Sequence, residues 1–210
     1  MTKELLITPE ELYYLGGYLQ AKYIDYAYIA AMDDIGSAYA LFERETKASL
    51  VASGVLMEDF SGNTEIDPLA LDILKPVFFG EVETSLDVCH LGEKPYVDVY
   101  KYHHYDGAIT LVTGKDGKLL IKAVDSLMVK ESVNKLIPED YSVSTEAAES
   151  IDKKKITRLM AVKRSEVGGA ATVETYIESD GVIYREADSG IEKVSREDFT
   201  ESVYDILKGV

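Results

Sequence analysis

Residues 96–124 read YVDVYKYHHYDGAITLVTGKDGKLLIKAV. Three runs rich in β-branched and aromatic residues are separated by Asp106-Gly107 and by Lys115-Asp116-Gly117-Lys118. Asp-Gly tolerates the positive φ angles that a two-residue hairpin needs. The pattern therefore predicts strands over Tyr96–His104, Ala108–Thr113 and Leu119–Val124. Phe79–His90 reads as a strand before them, joined through the turn Gly92–Pro95. Together the four make an antiparallel meander. Asp125 then caps a helix running to about Ile137, closed by Pro138.

The same texture returns further on. Ile156–Arg164, Ala171–Glu178 and Val182–Ala187 read as strands. Val167-Gly168-Gly169 and Ser179-Asp180-Gly181 are the turns between them, and Gly190 starts another turn. Ser195, with Asp198 three residues on, caps a last helix whose core face is Phe199, Val203, Ile206 and Leu207. The stretch Glu139–Lys155 is polar and reads as a linker with one helical turn. Strands followed by a helix favour antiparallel sheets over βαβ units. The expected fold is α+β: antiparallel sheet(s) with helices, in a pseudo-twofold arrangement of two strand-meander-plus-helix halves after a helical N-terminal segment. The chain reads as a single domain, 1–210, with approximate sub-units 1–76, 77–138 and 156–210.

Within 1–76, Thr8-Pro9-Glu10-Glu11 is a helix start with a cap, a proline at the first helical position and an acid where a capping box wants one. Leu12, Leu15 and Leu19 follow at helical spacing. Lys22–Met32 is ambiguous, because Tyr and Ile favour a strand and Ala27, Ala30 and Ala31 favour a helix; the expectation is a short strand. A helix is expected from Ser37 to about Ser53, with Leu41, Ala48 and Val51-Ala52 on its inner face and Gly54 as its stop. Val55–Thr64 reads as a turn. Asp67-Pro68 caps a short helix, Leu69–Leu74, that ends before Pro76.

Hydrophobic residues make up 46% and charged residues 29% of 210, an ordinary globular balance. The net charge of −16 disfavours nucleic acid and anionic membrane surfaces as partners. It suits solubility, or a basic or polar protein partner. The single cysteine, Cys89, excludes an intramolecular disulfide and fits a reducing compartment. No signal peptide or run of about 18 apolar residues is present, so the expectation is a cytoplasmic protein without membrane insertion.

Candidates for chemistry are few. Cys89-His90 and His103-His104 are the one Cys/His grouping. The turn at Gly92–Pro95 sets Cys89 against Asp98, with the two histidines further along the ladder and on opposite faces, so they do not converge on one ion. Gly114–Lys118 lacks the phosphate-loop spacing and leads into a strand. The acidic pairs Asp33-Asp34, Glu43/Glu45 and Glu58-Asp59 are adjacent in sequence and read as solvated. Asp59–Asp67 lacks calcium-loop spacing. No catalytic residue, metal or cofactor is assigned.

What stands out is aromatic: 15 tyrosines and no tryptophan. Tyr96, Tyr100, Tyr102 and His104 fall on one face of a strand and are the candidate partner-binding residues. Tyrosine combines a large buried area with a polar tip and is enriched at interfaces, while core packing is the better explanation for most of the tyrosines.

The opening Thr8-Pro9-Glu10-Glu11-Leu12 with Leu15, then Leu50-Val51-Ala52-Ser53-Gly54-Val55-Leu56, an acidic turn, and Asp67-Pro68 with Leu69, Leu71 and Leu74 before Pro76, resemble landmarks of the EspG-like chaperone family of type VII (ESX) secretion. The resemblance implies a cytosolic, non-enzymatic protein. Members of that family clasp the apolar tip of a helical secreted protein, using a loop between central strands and the C-terminal helical part. The turn in the corresponding place is Gly92–Pro95. The absence of an Arg-rich, Ala-rich composition implies a low-GC Gram-positive relative, with a WXG-type or LXG-type helical protein as partner. The alternatives are an immunity protein that masks a basic toxin with its acidic surface, and an enzyme with a site the sequence does not display.

Overall fold

The computed structural model describes residues 4–30, 32, 35–139, 141–144, 146–148, 150–166, 169–187 and 190–209. Among these the chain is α+β, with twelve strands and six α-helices. The strands form a large antiparallel sheet and a separate two-stranded hairpin. Two compact units emerge: Met1–Gly80 with His103–Ala123, and Glu81–Tyr102 with Val124–Val210.

The first unit opens with strand β1 (Glu4–Ile7), then α1 (Pro9–Tyr18), α2 (Tyr26–Ile29) and α3 (Tyr39–Ala52). The hairpin β2 (Leu56–Glu58) and β3 (Thr64–Ile66) follows, then α4 (Pro68–Phe79). The unit also holds the last residues of β5 (Tyr96–Tyr105), and β6 (Ala108–Lys115) and β7 (Lys118–Val124). Its strand order is β1-β7-β6-β5. Ile7, Leu12, Leu15, Leu50, Leu74, Phe78 and Ile121 fill its core.

The capping box forms as the sequence predicts: the Thr8 amide donates to Glu11 Oε2 at 2.8 Å and the Glu11 amide to Thr8 Oγ1 at 3.2 Å. Glu11 also accepts from the Ser49 hydroxyl at 2.6 Å, which ties α1 to α3.

Several expectations for this unit need correction. β1 was not anticipated; it pairs with β7 from Glu4↔Lys122 to Ile7↔Leu119 and buries Ile7. Residues 26–29 are a helical turn and not a strand. Asp25 caps it by accepting from the Ala27 amide at 2.9 Å, which overrides the β propensity of the tyrosines. The next helix starts at Tyr39, after a 3-10 turn at Gly36–Ala38. Its buried face is Thr46 and Leu50, while Leu41 and Ala48 face solvent. Residues 55–64 hold a strand pair as well as a turn. Helix α4 continues through Pro76 to Phe79, so the strand that follows starts at Val82. One lost backbone bond at Pro76 is offset by burying Val77 and Phe78, and the Gly80 amide still reaches the Pro76 carbonyl at 3.0 Å.

The second unit contains β4 (Val82–His90), the start of β5, and α5 (Ser126–Asn134). Strands β8 (Glu146–Ala148), β9 (Ile156–Glu166), β10 (Ala171–Ser179), β11 (Val182–Ala187) and β12 (Gly190–Lys193), then α6 (Arg196–Leu207), complete it. Its strand order is β5-β4-β9-β10-β11-β12-β8. The segment expected as a linker supplies β8, which pairs with β12, and a 3-10 turn at Lys153–Lys155. Gly190 opens a strand and no turn. Of the glycine turn proposed at 167–169, Val167 and Gly168 lie outside the described residues, as do Asp33 and Asp34.

The two-residue turns are as the sequence demands. Asp106, Asp116 and Asp180 have φ of 48°, 51° and 54°, and each is followed by glycine at 73–75°. Ser195 caps α6 by accepting from the Asp198 amide, and Phe199, Val203 and Leu207 are fully buried. Under α6 and α5 lie Val88, Met160 and Tyr176 in one cross-strand row and Leu86 and Val162 in the next.

Tyr141 joins this core with a double hydrogen bond. Its hydroxyl donates to the Val194 carbonyl at 2.7 Å and accepts from the Ile183 amide at 3.1 Å. Tyr141→Phe is therefore expected to lower unfolding free energy by about 1–3 kcal/mol, because both buried backbone groups lose their partner. Urea denaturation checks this, and an unchanged midpoint would contradict it.

Candidate functional site

Alternation along β5 puts Tyr96, Asp98, Tyr100, Tyr102 and His104 on one face and Val97, Val99, Lys101 and His103 on the other. The four candidate residues thus share a face, and exposure falls along it from Tyr96 through Tyr100 to Tyr102. Tyr96 is 55% exposed, Tyr100 is half-buried, and Tyr102 is 1% exposed in the core beside Ser132 of α5. Burial pushes the Tyr102 phenol up to about 12, with the neighbouring Tyr100 adding to the effect. Burial likewise raises Tyr100. His104, in the first unit, is half-buried, and its carbonyl would lie 2.9 Å from a Cβ on Gly80. Only glycine lets helix α4 end that close to β5.

The outer end of the β4–β5 hairpin is where side chains reach solvent. The His90 ring stacks on Tyr96 with centroids 4.3 Å apart and an interplanar angle of 11°, and His90 Nε2 lies 3.1 Å from Asp98 Oδ2. Asp98 therefore shares a face with His90 and does not lie opposite Cys89. Cross-strand neighbours share a face, and Cys89 points to the opposite one. The stack gives Tyr96 a side-chain neighbour at the hairpin end. On the opposite face Val97 and Val99 are 55% and 40% exposed, and Leu91 at the end of β4 is exposed too. The strip is bordered by two ion pairs, Lys101–Glu83 at 3.2 Å and Lys163–Asp87. The hairpin thus presents tyrosine on one side and aliphatic side chains on the other. Sequence reasoning found the tyrosines but missed the valines, which look like ordinary strand residues until their exposure is known.

The other face of the second unit is closed by α5 and α6. The Thr84 hydroxyl donates to the Leu207 carbonyl at 3.0 Å, and Glu174 accepts from Tyr176 at 2.7 Å and from Ser202 at 3.0 Å. Arg158 donates to the Leu136 carbonyl at 2.7 Å and to Glu178 at 2.6 Å, which closes the C-terminal end of α5.

The Cys/His grouping is dispersed. Cys89 is half-buried, His90 is at the hairpin end, and His103 is buried in the first unit with its Nε2 2.6 Å from the Tyr28 hydroxyl. Among the described residues no three His, Cys, Asp or Glu side chains are grouped to hold a metal ion. Among them, too, no helix is long and apolar enough to cross a membrane.

The raised phenols have a consequence for stability. Tyr102 and Tyr176, both pushed up to about 12 chiefly by burial, keep their protons in the folded state while the unfolded chain loses them near 10. The folded state then binds more protons, so stability falls as pH rises from 10 towards 12. Unfolding midpoints measured across that range should drop, and the drop should shrink in Tyr102→Phe. A flat profile would contradict the burial of these phenols.

No protein-family model matches the chain, and no curated protein matches it. Among solved structures it is similar in fold to EspG5, a type VII secretion system chaperone of Mycobacterium tuberculosis, solved in complex with a PE25–PPE41 dimer. The TM-score is 0.61 at 6% sequence identity, over 99% of this chain and 96% of that one. The chain has an EspG-like fold.

Proposed function

We propose that this protein is a non-enzymatic chaperone or adaptor that holds a helical secreted protein, of WXG or LXG type, in the cytoplasm of a low-GC Gram-positive bacterium before export by a type VII system. The observation that carries this reading is the extent of the fold likeness: nearly the whole of both chains is covered, and the compared protein is a secretion chaperone seen with its partner dimer. The β4–β5 hairpin supports it. Tyr96 stacks on His90 on one face, and Val97, Val99 and Leu91 offer apolar area on the other side of the hairpin. An exposed aliphatic strip at the hairpin end suits the apolar end of a helical pair. The acidic surface keeps the free chaperone soluble.

Co-expression with small helical secreted proteins from the same genome, followed by gel filtration, should give a stable complex. Since the contact is apolar, the complex should survive ~0.5 M salt, where exposed charges are screened. Val97→Asp with Val99→Asp should weaken it at least about 30-fold, the loss expected for an anchor region. Complexes formed equally well by that double variant, or dissolved by salt, count against this surface and this class of partner.

A further inference from the structure

The β2–β3 hairpin carries Phe60 at its tip, 113% exposed, the most exposed large apolar side chain among the described residues. The turn that presents it is tightly built. Asp59 Oδ1 accepts from the amides of Ser61 at 2.8 Å and Asn63 at 2.9 Å, and Oδ2 accepts from Asn63 Nδ2 at 3.0 Å. The Asp59 amide donates to the Asn63 carbonyl at 2.9 Å and the Gly62 amide to the Asp59 carbonyl at 3.0 Å, with Gly62 at φ 83°. These bonds hold the Asp59 carboxyl below its ordinary range, so it is ionised at neutral pH. Lys47 braces the hairpin on α3 through Glu58 at 3.0 Å and the Gly62 carbonyl at 3.4 Å. A phenylalanine fixed in this way loses little freedom on binding, and a buried Phe contributes roughly 150–250 Å² of contact.

Beside this knob is a hole. Arg44, Lys47, Ala48, Val51, Ala52 and Glu58 line a cleft of about 440 Å³ with an alanine and valine floor. A cavity of only ~150 Å³ suffices to take up benzene. Arg44 on its rim makes no ion pair among the described residues. Knob and hole share one surface of one unit, which is the requirement for a twofold contact in which each copy supplies what the other receives. Asp59 precedes Phe60 in the turn, and the receiving rim carries Arg44 beside the mutually neutralised Lys47–Glu58 pair, so acid meets base across such an axis.

We infer that this surface binds a second copy of the same chain, with Phe60 of each protomer inserted into the α3 cleft of the other. The contact involves neither β4 nor β5 and is independent of the proposed chaperone role.

Sedimentation at ~0.15 M salt, where repulsion between two chains of −16 is screened, measures it. The wild-type chain should show a dimer fraction rising with concentration up to about 1 mM. Phe60→Ser and Ala48→Arg, both at exposed positions, should each weaken dimerisation at least about 30-fold with unchanged thermal midpoints. An equimolar mixture of these variants keeps one intact knob and one intact hole, so it should regain heterodimer that neither forms alone. A wild-type chain that stays monomeric overturns the inference. So does a dimer indifferent to both variants, or a mixture that regains nothing; these results would leave the surface to a different protein.

Discussion

Strand β9 is gripped from both sides. It pairs with β4 from Val82↔Glu166 to His90↔Arg158 and with β10 along most of its length. This double pairing aligns Val88, Met160 and Tyr176 in one row and Leu86 with Val162 in the next, all fully or nearly fully buried. Helix α6 can then seat Phe199, Val203 and Leu207 on a continuous apolar surface, with the Tyr176 and Phe199 rings edge to face at 4.9 Å. A one-residue slip of β9 would turn Met160 and Val162 to the opposite face and leave α6 without a floor. The exposed valines of β5 depend on the same register, because β4 carries the hairpin that ends in them.

The two faces of that sheet divide the labour. Covered by α5 and α6, one face gives the unit its stability. On the other, Val97 and Val99 stay exposed, with ion pairs at the borders of the strip. Lys101–Glu83 is the better shielded of the two and contributes more than an exposed pair, though still modestly. A surface of this kind is specific through its shape and its few fixed side chains, with net charge acting mainly on solubility.

What the sequence disclosed follows from how local each signal is. Asp-Gly turns, the Thr8–Glu11 box and the Ser195 cap depend on neighbouring residues, so they were legible. Features set by distant partners were not. β1 becomes a strand only because β7 offers an edge, and β8 only because β12 does. Pro76 looks like a helix stop until the burial of Val77 and Phe78 is known. At the candidate site, alternation placed the tyrosines on one face correctly, yet it could not say that Tyr102 lies in the core and Tyr96 outside. That depends on where α5 packs, and the exposure of the valines likewise depends on elements far away in sequence.

The pairing of β4 with β9 also bears on how the chain is made. The neighbours of β5 and β6 are close in sequence, and hairpins of that kind close within about 1–10 μs. The free edge of β4 has no such neighbour: residues 91–155 must leave the ribosome before β9 begins at Ile156. At ~5–20 residues per second this is a wait of several seconds. Throughout it Leu86 and Val88 belong to an unfinished sheet with an open edge, a template for wrong pairing. The order of synthesis therefore sets how long that edge stays unprotected.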